Sequence, residues 1–162
     1  MKIKSIAAIC KKNKNIAIFE RYSDDGDILT QYIGDGSAVY PVVGLPQLDK
    51  ESLLTIFDVP EKDRDNYFVK TLGVPVGISF EDTDETERHV EREGISIIYS
   101  GRTLKPIRTT RGLVFIESRY LSPVADVLDV LELYERRTAE GAPYIVAKAG
   151  FLLQAVIMPY DV

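Results

Sequence analysis

The stretch "PYIVAKAGFLLQAVIMPYDV" (143–162) contains two apolar runs on either side of Ala149-Gly150. Two β-rich runs joined by a short turn that contains glycine are typical of a β-hairpin. The second run continues through Val156 and Met158 almost to the last residue, although chain ends are ordinarily polar and frayed. We therefore expect this run to be a central core strand, an apolar edge that binds a partner, or both, because a strand has two faces.

Strand patterns dominate the rest of the chain as well. The residues predict strands over 3–10 and 15–22, joined as a hairpin by "KKNKN". Turn signals such as Asp25-Gly26 separate the strands that follow. The further predicted strands cover 28–33, 37–43, 76–80, 94–100, 102–108 and 112–118.

Two segments predict helices. Asp49 is a good N-cap for a helix over 50–57, whose leucines and aromatic residue form an apolar face. In the segment 122–138, Ser122 stands at the N-cap position, Pro123 follows it, and apolar residues recur at helical spacing. The predicted fold class is therefore α+β, with strand-rich antiparallel sheets and two main helices.

The length of 162 residues fits a single domain that spans 1–162. Gly36 and Gly112 each lead a predicted strand, and each strand is followed by a proline-containing turn and a predicted helix. This similarity of order predicts two related half-repeats, 1–80 and 94–162.

The composition narrows the class of function. A net charge of −5 argues against general binding to nucleic acid or to membrane surfaces, and it still allows a local basic face. Cys10 is the one cysteine of the sequence, so an internal disulfide cannot form and a reducing compartment fits. The apolar stretch near the start is too short for a signal peptide or a spanning helix. We therefore expect a cytoplasmic protein with no membrane partner.

No pattern of residues predicts catalysis. His89 stands alone among charged residues, and Cys10 ends an apolar run that is typical of a buried structural thiol. The acidic stretch 82–93 resembles a calcium loop at several ligand positions, but Glu87 stands where the turn needs glycine. We predict no catalytic residue, no metal site and no cofactor, a surface position for His89, and a solvated loop over the acidic stretch.

Cations recur at every third position of "GRTLKPIRTTRG" (101–112). Three-residue spacing alternates between the two faces of a strand, so only a turn would gather these cations on one side. The functional interpretation is contact with DNA phosphates, and the alternative is a solvated hairpin of an acidic protein. The candidate phosphate contacts are Arg102, Lys105, Arg108, Arg111 and, from the following segment, Arg119.

The last third of the chain carries a resemblance to a known family. Tyr120-Leu121, then the run from Val127-Leu128 to Leu131, and finally Val156-Ile157-Met158-Pro159 follow one another in an order that resembles the end of the bacterial replicative sliding clamp, the DNA polymerase processivity ring. The resemblance implies a single clamp-like domain whose two halves each carry one helix.

In the sliding-clamp family the closing Met-Pro segment forms part of a hydrophobic pocket that captures short linear peptides from polymerases and repair proteins. The resemblance therefore implies peptide-binding roles for Val156, Met158, Pro159 and Val162. The favoured function is a non-catalytic clamp-like domain that binds partner proteins or peptides at its C-terminal edge.

Three hypotheses follow. A ring or partial ring on double-stranded DNA would form homo-oligomers and bind DNA through the basic segment. An adaptor or structural protein of a bacterium or mobile element would bind a partner at Met158-Pro159 without binding DNA. An enzyme of unfamiliar type would join groups such as Asp35, His89 or Tyr99 in one deep pocket.

Overall fold

Two β-sheets and four helical segments make up the α+β fold of residues 2–162, the part of the chain that the computed structural model describes. The predicted fold class is therefore confirmed. The elements in chain order are α1 (Lys2–Asn13), β1 (Asn15–Tyr22), β2 (Ile28–Gly34), β3 (Ala38–Val42), α2 (Lys50–Ile56), a 3₁₀ helix (Glu61–Asn66), β4 (Phe68–Gly73), β5 (Arg88–Val90), β6 (Ile97–Tyr99), β7 (Arg102–Thr109), β8 (Gly112–Glu117), a long 3₁₀ helix (Ser118–Val130), β9 (Leu131–Arg137), β10 (Pro143–Ala149) and β11 (Leu152–Ile157).

The predicted C-terminal hairpin is confirmed, and it lies inside the larger sheet. That sheet has eight strands in the order β4-β1-β2-β3-β11-β10-β9-β5, and its neighbours are antiparallel except for β1 and β4. The smaller sheet is β6-β7-β8. Because β11 joins the strands from the first half of the chain to those from the second, the expectation of a central strand is correct.

The two faces of the large sheet are covered differently. On one face, α1, α2, the long 3₁₀ helix and the small sheet contribute Ile6, Leu53, Val124 and Ile107 to the main core cluster. The other face holds a second cluster, which contains strand residues together with Phe80 from the connection between β4 and β5. Burying a phenylalanine contributes about 1.5–3 kcal/mol, so this connection is anchored to the sheet even though it has no regular structure.

One transverse row of residues on the second face crosses the middle of the large sheet. Paired residues on neighbouring strands lie on the same side of a sheet, so consecutive pairings define the row. It runs through Ala17, Gly34, Val39, Val156 and Val146. Residues from β1, β2 and β3 are thus brought beside the C-terminal hairpin.

The pairing of β3 with β11 is limited to Val39–Val156 and Ala38–Ile157. Beyond these pairs, Met158 N donates to Ser37 O at 2.7 Å. In an antiparallel pair of strands, every second pair of opposite residues is hydrogen-bonded. The hydrogen-bonded pair that would follow Val39–Val156 in the other direction is Pro41–Gln154. Proline has no N–H to donate, and the Gln154 carbonyl accepts instead from Lys2 Nζ at 3.4 Å.

The prediction of a strand over residues 3–10 is wrong, because these residues belong to α1. The β-branched isoleucines suggested a strand, but Ile6, Ala7, Ile9 and Cys10 are the buried residues, and this spacing places them on one face of a helix. The predicted hairpin "KKNKN" is wrong for the same reason. The helix ends at Asn13, and Lys14 turns the chain into β1 with a φ of 50°.

The prediction of a single helix over 122–138 is also wrong. The long 3₁₀ helix begins earlier, at Ser118, and a kink at Val127 precedes its end at Val130. Residues 131–137 form β9, which pairs with both β10 and β5. Leu131 and Leu133 are two residues apart and both buried, so the pattern also fits a strand, and tertiary pairing on both sides decides in favour of it.

The remaining element predictions are mostly confirmed. Asp49 caps α2, and its side chain accepts from Ser52 N at 2.9 Å. The predicted strands over 15–22, 28–33, 94–100, 102–108 and 112–118 correspond to β1, β2, β6, β7 and β8. Residues 76–80 are not a strand, because they form the irregular connection over the second face. The two half-repeats stay a prediction.

Candidate functional site

An apolar pocket of about 90 Å³ lies where the chain leaves β11, and we call it the tail pocket. The strands of the large sheet form its floor, and the connection between β4 and β5 forms a wall. The lining residues are Phe19, Gly36, Ser37, Ala38, Val39, Pro75, Ile78, Phe80, Val156 and Met158.

The turn between β2 and β3 shapes one side of the tail pocket. Asp35 Oδ1 accepts from Ser37 N at 2.9 Å and from Ala38 N at 3.1 Å, so the turn is closed by its own side chain. A Cβ on Gly34 would lie 1.7 Å from the Ala38 carbonyl oxygen, which explains why glycine is needed there. Gly36 has a φ of 93°, a conformation that glycine adopts without strain.

The four predicted peptide-binding residues do not all reach this pocket. Val156 is buried and Met158 is half-buried, and both line the pocket because they lie two residues apart on the same face of the chain. Pro159 is half-buried outside the lining, and Val162 is 60% exposed. The tail crosses from the large sheet to the small one, where Tyr160 N donates to Phe115 O at 2.7 Å.

The five predicted phosphate contacts are divided among different surroundings. Arg108 Nε lies 3.2 Å from Glu93 Oε1, and Arg111 Nη1 lies 3.4 Å from the Gly141 carbonyl oxygen. Lys105 is half-buried on β7. The structure brings the other two, Arg102 and Arg119, together in a second pocket.

This second pocket, which we call the cationic pocket, has a volume of about 250 Å³ and is mainly polar. Arg102 Nη1 lies 2.8 Å from Glu117 Oε1, and Arg119 Nε lies 3.3 Å from the same oxygen. The residues that line the pocket are Lys12, Gly101, Arg102, Thr103, Glu117, Ser118 and Arg119. Burial of Glu117 opposes its ionisation, but the hydrogen bond from Arg102 and the charge of Arg119 outweigh that effect and lower the pKa of Glu117.

A buried carboxylate, Asp35, lies close to Arg119 of the cationic pocket. Tyr120 Oη donates to Asp35 Oδ2 at 2.7 Å, and Asn13 Nδ2 donates to the same oxygen at 2.9 Å. Arg119 Nη2 lies 3.8 Å from Asp35 Oδ2 and donates to Tyr120 Oη at 3.0 Å. Burial, together with the hydrogen bond to Asp35, raises the pKa of Tyr120 above its ordinary range.

A second ionic cluster attaches the acidic stretch to the large sheet. Glu87 accepts from Arg136 Nε at 2.9 Å and from Lys148 Nζ at 3.0 Å. The side chain of Arg136 is fully buried and that of Lys148 is 6% exposed. The prediction that the whole stretch is a solvated loop is therefore wrong at Glu87, and residues 88–90 form β5.

The groups named for an enzyme lie in different surroundings. Asp35 is buried in the network just described, His89 lies between Glu91 and Glu132 with its side chain 47% exposed, and Tyr99 stacks edge-on near Tyr160. The surface position predicted for His89 is correct. Within residues 2–162, no group of three or more His, Cys, Asp or Glu side chains is arranged to hold a metal ion.

Sequence reasoning missed Lys12 and Glu117 in the cationic pocket and the partners of Glu87. Lys12 and Glu117 are far apart in the sequence, and no local motif relates them. One weak signal is present, since Glu117 directly follows the apolar run from Leu113 to Ile116.

Comparisons with protein-family models, curated proteins and solved structures gave no significant match. Across the part of the chain that the structure describes, none of the helices combines the length and the apolar character needed to cross a membrane.

Proposed function

We propose that this chain is a non-catalytic domain that binds a partner protein by accepting one apolar side chain of a short peptide in the tail pocket. One observation carries the proposal: Val156 and Met158, two of the residues that the sequence nominated for peptide binding, line an apolar pocket. The pocket is open to one side of the large sheet, where the irregular connection over residues 74–80 forms its outer wall.

The size of the pocket favours a peptide over a small-molecule ligand. Pockets for cofactors and drug-sized ligands have volumes of about 300–1,000 Å³. An engineered cavity of about 150 Å³ holds benzene. At about 90 Å³, the tail pocket fits a single aliphatic side chain, and the rest of a bound peptide would lie on the surface beside it.

Apolar surface next to the pocket supports the same occupant. Leu72 pairs with Phe19 of the pocket, so both side chains lie on the same face of the sheet, and Leu72 is 43% exposed. Val76, in the connection that forms the pocket wall, is fully exposed. An apolar pocket with exposed apolar residues at its margin is typical of a peptide-docking surface.

The proposal does not include a DNA-binding surface. Arg102 and Arg119 share Glu117, whereas Arg108 pairs separately with Glu93, so these cations do not form one continuous surface along which successive DNA phosphates could lie. Association with double-stranded DNA and formation of a homo-oligomer stay predictions from the sequence.

The test uses peptides selected against the wild-type chain from a random library, with affinity measured by fluorescence polarisation. Met158→Asn replaces an apolar wall with an amide, and we expect it to weaken binding at least about tenfold, because the peptide side chain would then face an unpaired polar group. Val162→Ala is the matched control, since Val162 lies outside the pocket, and we expect its affinity to stay within about twofold of wild type.

Circular dichroism of both variants would establish that they are folded. If no peptide is selected, or if the selected peptides bind Met158→Asn as tightly as wild type, the proposed function is wrong.

A further inference from the structure

We propose that the cationic pocket binds a phosphate group, either the free ion or a phosphomonoester. This site is separate from the tail pocket and does not rest on the proposed function. Its lining contains three cationic residues, Lys12, Arg102 and Arg119, and one acidic residue, Glu117. The Asp35 carboxylate is not part of the lining and lies 3.8 Å from Arg119 Nη2. The pocket therefore carries a local surplus of positive charge in a chain whose net charge is −5.

The two guanidinium groups are held in place before any ligand arrives. The Arg119 guanidinium lies 4.8 Å from the centre of the Tyr120 ring and donates to the Tyr120 hydroxyl. The Arg102 guanidinium lies 5.2 Å from the centre of the Tyr160 ring. Arginine offers a planar fork of N–H groups that matches phosphate oxygens, and a fork that is already oriented loses little entropy on binding.

The arginines keep donors that Glu117 does not use. Glu117 Oε1 is the carboxylate atom nearest to both guanidinium groups, at 2.8 Å from Arg102 Nη1 and 3.3 Å from Arg119 Nε. Arg119 Nη1 has no hydrogen-bond partner among the described residues. Two carboxylates, those of Glu117 and Asp35, thus face the two guanidinium groups, and Lys12, which is exposed at the end of α1, adds a third cation.

The backbone supports the same choice of ligand. The long 3₁₀ helix begins at Ser118, which lines the pocket, and its N-cap residue Glu117 makes no side-chain capping hydrogen bond. The first N–H groups of a helix have no partner within the helix, and such groups favour an anion. On the other side, the turn at Ser100-Gly101 has φ values of 51° and 75°, and Gly101 leaves that side open because it has no side chain.

The Glu117 carboxylate lines the cationic pocket and is an anion that belongs to the protein itself. A phosphate carries more charge than a carboxylate and offers more oxygen acceptors, so it can bridge cations that Glu117 leaves partly satisfied. Phosphate therefore has to compete with Glu117. Removing the charge of Glu117 should therefore strengthen phosphate binding. If Glu117 and the arginines formed an ion pair with only a structural role, this substitution would not create tighter phosphate binding.

The experiment is calorimetric titration of the full chain with inorganic phosphate and, separately, with phenyl phosphate at constant ionic strength. Arg102→Gln and Lys12→Gln remove exposed cations of the pocket, and we expect each to weaken binding about tenfold. Arg108→Gln is the matched control, because Arg108 lies on the same strand as Arg102 but pairs with Glu93 outside the pocket, and it should bind like wild type.

Glu117→Gln should bind phosphate several-fold more tightly than wild type. Tighter binding of phenyl phosphate than of inorganic phosphate would identify a monoester as the ligand, and the reverse order would identify the free ion; either supports the site. The proposal is overturned if neither wild type nor Glu117→Gln binds either probe at millimolar concentration. It is also overturned if Arg108→Gln loses as much affinity as Arg102→Gln, since the effect would then be one of general charge.

Discussion

At the scale of single residues, the turn between β2 and β3 depends on Gly34 and Asp35. The Gly34 backbone lies so close to the Ala38 carbonyl that no side chain fits, and the Asp35 carboxylate binds the two N–H groups that close the turn. The same carboxylate reaches Asn13 and Tyr120. One turn therefore contributes residues to the tail pocket and, through Asp35, contacts Tyr120 and Arg119 beside the cationic pocket.

We expect Gly34→Ala to lower the free energy of unfolding by about 1–3 kcal/mol, because the added methyl group would meet the Ala38 carbonyl oxygen and the backbone of the turn would have to shift. Chemical denaturation monitored by circular dichroism measures the change. Gly94→Ala is the matched control, since an added Cβ there meets nothing within 4 Å. Equal stability of the two variants would contradict this account of the turn.

At the scale of elements, the connection between β4 and β5 is attached to the large sheet by two kinds of contact. Phe80 is buried between strand residues and stacks edge-on with Tyr32 and Phe19. Glu87 provides the counter-charge for Arg136 and Lys148. Since this connection forms a wall of the tail pocket, its attachment matters for the proposed binding of a peptide.

We expect Glu87→Gln to destabilise the fold by about 3–5 kcal/mol, because it leaves two buried cations without a carboxylate partner. Thermal and denaturant unfolding measure the loss. Glu85→Gln, an exposed position in the same acidic stretch, should change stability by less than about 0.5 kcal/mol. If the two substitutions have the same effect, the ion cluster contributes nothing specific to the fold.

At the scale of the whole molecule, three buried groups that can lose a proton lie in the core between α1, the long 3₁₀ helix and the large sheet. Tyr40 Oη donates to the Tyr120 carbonyl at 2.6 Å, and Cys10 of α1 is completely buried nearby in the main core cluster. Burial, and then the charge of Asp35, raises the pKa of Cys10 from 9.0 to about 12. The pKa values of Tyr40 and Tyr120 are raised above their ordinary range, again chiefly by burial.

We therefore expect stability to fall as the solution becomes alkaline. A group whose pKa is raised by folding contributes stability that is fully present below its unfolded pKa and is lost as the pH rises towards its folded pKa. For Cys10 the loss begins near pH 9 and amounts to about 1.4 kcal/mol per pH unit. Urea unfolding at pH 7, 9 and 10.5 measures this loss. Cys10→Ala should show a shallower decline, and a curve that stays flat up to pH 10.5 would contradict the expectation.

How much of the fold could be predicted depended on how local the deciding interactions are. The capped helix α2, the strands of the small sheet and the C-terminal hairpin follow from neighbouring residues, and each is correct. Residues 3–10 and 131–137 were misassigned because their apolar spacing fits both a helix and a strand. The choice between the two depends on which partner covers each face, and the sequence does not contain that information locally.

The candidate sites, like the fold, were predictable only where the deciding residues are close together in the sequence. The sequence by itself determined the α+β class, the central apolar hairpin and the nomination of Val156 and Met158. Only the tertiary structure decided that Arg102, Arg119 and Lys12 line one pocket with Glu117, while Lys105, Arg108 and Arg111 do not line that pocket. The reason is physical: apolar burial and turn chemistry act over a few residues, whereas the position of a charge relative to its partner depends on the packing of distant strands and helices.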